Sequence, residues 1–265
     1  MAAAVLYQRM TGPTHPFKGE VTIDGNAIKY SFLRSAETGS DVEIKIPCSE
    51  TLKGTIRHKI YTTDMDWKTD SLERKGDTLI ARISWLPWLD AAAKVQYFIS
   101  LYDASGKEYK LNTEEIRLRY KGHVPDAILL PHIIFMFLAL WFAFRTALEA
   151  LFKGDKVLKL SVWSLVTIFI GGIILGPLVQ NYAFGAFWTG WPLGNDLTDN
   201  KTALAFLFWI IAVWRLKKNP KNIKWAFIAA CISLAMYLIP HSVLGSEKDY
   251  SDVGFRTPNS TTATM

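Results

Sequence analysis

Two stretches of this chain run without formal charge for long enough to cross, or nearly cross, a membrane: residues 127–144, AILLPHIIFMFLALWFAF, which nearly cross, and residues 160–184, from Leu160 through Phe184. A helix rises 1.5 Å per residue and needs about 20 apolar residues to cross a hydrocarbon core roughly 30 Å thick. Both stretches therefore predict spanning helices. Two shorter apolar stretches follow, Thr202 to Trp214 between Lys201 and Arg215, and Trp225 to Pro240, WAFIAACISLAMYLIP. In the third, Lys201 and Arg215 are placed to snorkel toward opposite headgroup layers, with Trp209 and Trp214 toward an interface. The fourth is short enough to imply local thinning or packed neighbours. The expectation is a four-helix transmembrane bundle over residues 124–244.

Basic residues orient that bundle. Lys153, Lys156 and Lys159 lie in the first connection, and Arg215, Lys217, Lys218, Lys221 and Lys224 in the third, while the second carries Asp196 and Asp199 with only Lys201. Cytoplasmic loops are enriched in Lys and Arg, so the first and third connections read as cytoplasmic. The N-terminal region, the second connection and the tail over 245–265 then lie outside, as in a multi-pass protein of a bacterial inner membrane. The net charge of +6 follows largely from this topology and calls for no nucleic-acid partner. Residues 1–12 lack the basic start and long apolar core of a complete signal, and read as the remnant of a signal or anchor helix. Cys48 and Cys231 fall in different halves and read as small packing residues.

Residues 13–123 carry another pattern. KGEVTIDG, AIKYSFL, DVEIKIP, LKGTIRHKI, DTLIARISWL, KVQYFISLYD and EIRLRYKG alternate apolar with polar residues or are rich in β-branched and aromatic ones. Turn formers such as Asp24–Gly25, Thr38–Gly39, Lys75–Gly76 and Ser105–Gly106 separate them. This predicts an all-β immunoglobulin- or fibronectin-like sandwich. Trp85 and Trp88 flank Pro87, in a segment that either packs the sandwich or meets a membrane or partner. His15, His58 and His123 have no metal-ligand spacing, and no phosphate loop, serine elbow or zinc motif occurs in the chain.

Under the expected topology, His132 near the start of the first span and His241 at the end of the fourth share the outer half. Gln180, Trp188, Trp191, Asp196 and Asp199 return to that face in a connection longer than a common helix–helix loop. Intramembrane histidines are functional candidates. His132 and His241 are candidate axial ligands of haem b, or ligands of a metal ion completed by an acidic residue. Quinone binding or proton transfer with Asp196 or Asp199 is a further reading. Gln180 is placed to orient a ligand or the loop, and Trp188 and Trp191 to cover one.

The stretch FWTGWPLGNDLTDN resembles the tryptophan-rich, Asp-containing loop of haem-handling membrane proteins of cytochrome c assembly. The resemblance implies that an outer loop presents haem, with Trp188, Trp191 and Asp196 in the aromatic and acidic parts and His132 and His241 as ligands. The sequence departs from that family in lacking its closely spaced Trp-Gly and Trp-Asp-Pro pattern and in having fewer spans.

Structural roles account for the same residues: an interfacial tryptophan belt, a turn at Pro192 and Gly194, and a cap on the third span from Asp199. Two functional readings stand. One is a redox-associated protein binding haem or quinone at the outer membrane face. The alternative is a noncatalytic envelope assembly or interaction subunit whose β-sandwich contacts another membrane or envelope protein.

Overall fold

A computed structural model describes residues 7, 10, 12, 14–61, 63–87, 89 and 91–239. Residues 14–121 form one compact unit, and residues 122–239 belong to a second.

The first unit is an eleven-stranded β region: β1 (Phe17–Ile23), β2 (Asn26–Phe32), β3 (Ser35–Glu37), β4 (Val42–Pro47), β5 (Lys53–Ile60), β6 (Lys68–Ser71), β7 (Glu73–Lys75), β8 (Thr78–Ile83), β9 (Lys94–Tyr102), β10 (Glu108–Lys110) and β11 (Ile116–Lys121). β1 and β2 form a hairpin, β4-β8-β7 a three-stranded sheet, and β3-β11-β9-β5-β6 a larger sheet to which β10 is added beside β9. The hairpin closes through Asp24 and Gly25, both at positive φ (52° and 77°), the conformation a two-residue loop requires to match strand twist. All seven strand segments read from the sequence are present. β3, β6, β7 and β10 had no sequence counterpart because three or four residues are too few to display a period of two.

All three sheets feed one core. In β4, Val42, Ile44 and Ile46 point inward while Glu43 and Lys45 point out, and in β9 Val95, Tyr97, Ile99 and Leu101 are buried. The Tyr97 hydroxyl donates to the Leu33 carbonyl at 2.6 Å, and burial pushes its pKa far above the ordinary phenol value. Asn112 substitutes for a strand along β9, accepting from Ile99 N at 2.9 Å and donating to Tyr97 O at 3.2 Å. Trp85 packs against this core with its ring edge-on to Tyr120 at 4.7 Å, which is the packing role; Trp88 lies outside the described residues.

The second unit is helical: α1 (Asp126–Leu151), α2 (Val157–Ile168), α3 (Gly176–Phe184), α4 (Leu197–Lys218) and α5 (Ile223–Leu238). A π-helical segment, Phe169–Leu175, joins α2 to α3 into one continuous helix. That helix, Val157–Phe184, and α1 are each long and apolar enough to cross a membrane. α5 is apolar but has only 16 residues, and α4 carries charge at both ends.

The interior of this unit is built from small side chains. Ala139, Ala143, Ala205, Ala212, Ala229 and Ala230 are buried around Trp209, whose indole donates to Ser233 Oγ at 2.8 Å. Large apolar groups face outward instead: Ile134 is 57% exposed, Trp141 and Phe144 each 48%. Buried hydroxyls are satisfied within their own helices, as in Thr146 to Phe142 O (2.7 Å) and Ser161 to Val157 O (2.8 Å). Close approach is strictest at the π segment. A Cβ on Gly171 would sit 3.1 Å from Met136 N, and one on Gly172 would sit 2.6 Å from Thr202 Cγ2.

Enlarging the buried Ala143 to Leu should lower stability by about 1–3 kcal/mol through overpacking, whereas Phe144→Leu on the outward face should change it little; thermal unfolding in detergent micelles reads both. In the β unit, Asp70 Oδ2 accepts from the His58 ring at 3.0 Å and from Lys68 at 2.9 Å, and these bonds, His58's first, hold its carboxyl below the usual carboxylate range. A lowered folded-state pKa means this stabilisation is present above the unfolded carboxylate value and is lost as pH falls through the folded one. His58→Ala should raise the Asp70 pKa toward that of a free carboxylate in a carbon-13 NMR titration.

Candidate functional site

The connection between α3 and α4 is a hydrogen-bonded knot centred on Asp199. α3 ends at Gly185, whose left-handed backbone (φ 76°) lets its N–H reach Asn181 O. The chain then turns back so that Asp196 N donates to Thr189 O at 2.9 Å. The buried Asp199 carboxylate accepts from Thr189 N at 2.7 Å, Gly190 N at 3.0 Å and Thr189 Oγ1 at 3.3 Å. Gln180 Nε2 donates to that same Thr189 hydroxyl at 2.6 Å. Gly190 is required here, since a Cβ would meet Asp199 Cβ at 2.6 Å.

The structure thus brings Gln180 and Asp199 together through Thr189. Asp196 is the N-cap of α4, accepting from Thr198 N at 2.7 Å. Asp199, the residue read as a cap, holds the loop instead. Trp188 donates its indole N–H to Trp191 O at 3.1 Å, and Trp191 N donates to Asn200 Oδ1 at 2.7 Å. The Trp191 side chain projects outward, 77% exposed. Lys201 is buried and donates to Ile239 O at 2.7 Å, at the C-cap of α5.

His132 Nδ1 lies 2.9 Å from Gly171 O, in the π segment. A carbonyl only accepts, so Nδ1 carries the proton, and a neutral ring keeps its lone pair on Nε2. His241 lies outside the described residues. Among the described residues, no three His, Cys, Asp or Glu side chains gather in a group that could hold a metal ion.

A second place stands out in the β unit, where sequence reading assigned only strands. The inward residues of β5 and β9 leave their alternate positions on the outer face of the large sheet. Cross-strand register sorts that face into ranks: Lys53 beside Tyr102, Thr55 beside Ser100, Arg57 beside Phe98, and Lys59 beside Gln96. β10 adds Lys110 beside Ser100, and β11 adds Arg117 beside Gln96 and Arg119 beside Lys94. Several of these cations lie on aromatic rings. The Arg57 guanidinium is 4.6 Å from the Trp67 ring centroid and 5.5 Å from that of Phe98, and Arg117 is 4.4 Å from Tyr61. A cleft of about 390 Å³ opens beside Arg57, lined by Thr55, Thr69, Phe98, Ser100, Tyr102 and Lys110 among others. Its signal in the sequence is the run Lys53-Gly54-Thr55-Ile56-Arg57-His58-Lys59, in which odd positions are polar or basic.

No known protein family matches the chain, and no curated protein does. Among solved structures, a crystal structure of a bromine derivative of BhCBM56 is similar at 12% identity and a TM-score of 0.26, over 38% of this chain and 97% of that one. That likeness is too slight to assign a fold or a function.

Replacing Asp199 with Ala should cost about 1–3 kcal/mol, because buried loop N–H groups lose their acceptor. Hydrogen exchange should show it as faster exchange at the Thr189 and Gly190 amides.

Proposed function

We propose that this protein is a noncatalytic envelope assembly or interaction subunit, anchored by four membrane-spanning helices and using its β unit to hold another membrane or envelope protein. The β unit is read as an immunoglobulin- or fibronectin-like sandwich, a reading supported by three sheets sharing one core. Membrane insertion of the helical unit is supported by its inverted packing, with alanines inside and Ile134, Trp141 and Phe144 outside. Where the solvent is lipid, helices gain little from burying large apolar groups and associate through small residues instead. Lys and Arg in the first and third connections support a cytoplasmic place for those loops in a bacterial inner membrane, with the β unit and the Asp199 loop outside.

The observation that carries the functional reading is the outer face of the large sheet, with Arg57 held over Trp67 and Phe98 beside an open cleft. Rigid aromatics and arginine are the residues that anchor protein interfaces.

A second reading, haem or quinone bound near the outer membrane face, is favoured by one observation. His132 donates through Nδ1 to a backbone carbonyl, the arrangement that orients a ligating imidazole and leaves Nε2 for a metal or a hydrogen bond.

Extraction of the full-length protein from its own membranes in mild detergent should yield a stable assembly with a second protein. Replacing residues 14–121 with an unrelated domain should abolish the assembly. A chain running alone, with a reduced-minus-oxidised haem band that His132→Ala removes, would overturn the interaction reading in favour of the second. For topology, single cysteines at Lys156 and Leu193, in a chain with Cys48 and Cys231 replaced by Ala, should react with a membrane-impermeant maleimide from opposite sides of sealed vesicles.

A further inference from the structure

The outer face of the large sheet has a regularity that a generic contact surface does not need. Along the strands, every rank carries a cation: Lys53, then Lys110, then Arg57, then Lys59 with Arg117, then Lys94 with Arg119. Carboxylates on this face include Glu37, beside Lys121 in the register of β3 with β11, and two more. Glu108 accepts from Ser100 Oγ at 2.8 Å, and Glu115 accepts from Arg117. Among the described residues, no carboxylate lies within ion-pair distance of Lys53, Arg57, Lys59 or Lys110. Arg57 and Lys59 both rest against Trp67, at 4.6 and 5.5 Å, so their heads are held above the sheet rather than swinging free.

Resting on the interaction reading, we propose that this face docks an extended, acidic segment of the partner protein, laid along β5 and β9. Side chains on one face of a strand recur every ~6.8 Å, and an extended polypeptide with an acidic residue at alternate positions repeats at the same interval. Its carboxylates meet Arg57 and Lys59 in succession, and the cleft beside Arg57 takes a side chain from the segment. Arg57 is the best anchor, because a guanidinium stacked on aromatic rings keeps its N–H donors directed for bidentate contact with a carboxylate. A planar lipid surface has no such linear repeat, which is why the protein segment is preferred.

The test uses the full-length protein in uncharged detergent micelles and a fluorescent ten-residue peptide alternating Glu and Thr, read by anisotropy. Saturable binding that weakens with added salt is expected, since opposite charges in water are screened. The double variant Arg57→Glu with Lys59→Glu should weaken it by at least about tenfold. Lys45→Glu, an exposed cation on the three-stranded sheet, should leave it within about twofold, as expected for surface charge away from the contact. Matched thermal midpoints of the variants exclude misfolding. The proposal is overturned if the peptide shows no saturable binding, if Lys45→Glu weakens it as much as the double variant does, or if phosphatidylglycerol vesicles or a heparin oligosaccharide bind in an Arg57-dependent way while the peptide does not. An intact detergent-extracted assembly alongside any of these results would confine the failure to the partner's chemistry and leave the interaction reading standing.

Discussion

Close approach between α1 and the helix containing the π segment underlies the helical unit. Gly171 leaves room for the backbone of Met136, and Gly172 leaves room for Thr202 of α4, so two adjacent glycines set the spacing of three helices. The π segment presents the Gly171 carbonyl both to Gly176 N–H and to the His132 ring. An extra residue in a helical turn shifts the register of everything after it, and π-helical turns recur at functional sites. Here the shift feeds directly into α3, Gln180 and the Asp199 knot. The geometry of the loop therefore depends on a helix irregularity that small residues permit.

In the β unit the governing constraint is the period of two. Ile56 and Ile99 pair across β5 and β9 on the core side, and that pairing fixes Arg57 and Phe98 as neighbours on the other. A slip of one residue would send Arg57 and Lys59 into the core and expose Ile56 and Ile60. The same burial that stabilises the β unit thus aligns the cations. The aromatic rings serve both purposes: Phe98 covers the outer sheet surface and supports the guanidinium above it.

These constraints explain what was legible in the sequence. The seven longer strands showed their alternation, and α1 and the helix from Val157 showed uninterrupted apolar length. The three- and four-residue strands left no period to read. The π segment was invisible because its residues, Phe169 to Leu175, are apolar and would suit an ordinary α-helix equally well. The loop was found but its internal roles were exchanged: Asp196 caps α4 and Asp199 ties the loop, and composition cannot rank two carboxylates three residues apart. The backbone carbonyl that Lys201 reaches, Ile239 O, comes from 38 residues away, and sequence alone carries no signal of that pairing. The basic face has no compact signal in the sequence, because its members, Lys53, Arg57, Lys59, Lys110 and Arg117, are brought together only by strand register.

How polar groups are used in the two candidate places separates them chemically. In the loop, the Asp199 carboxylate already accepts two backbone N–H groups and a hydroxyl, and the Gln180 amide is committed to Thr189. Removing that carboxylate would leave the buried Thr189 and Gly190 N–H donors without their acceptor, at a cost of about 1–3 kcal/mol each. His132 is different, since its one described hydrogen bond, to Gly171 O, occupies Nδ1 alone. On the sheet, Arg57 has its aromatic support and, among the described residues, no carboxylate within ion-pair distance, so docking an anion there breaks no ion pair described in the fold. Binding at the sheet draws on groups the fold leaves available, whereas the polar groups of the loop are committed to the bonds that shape it.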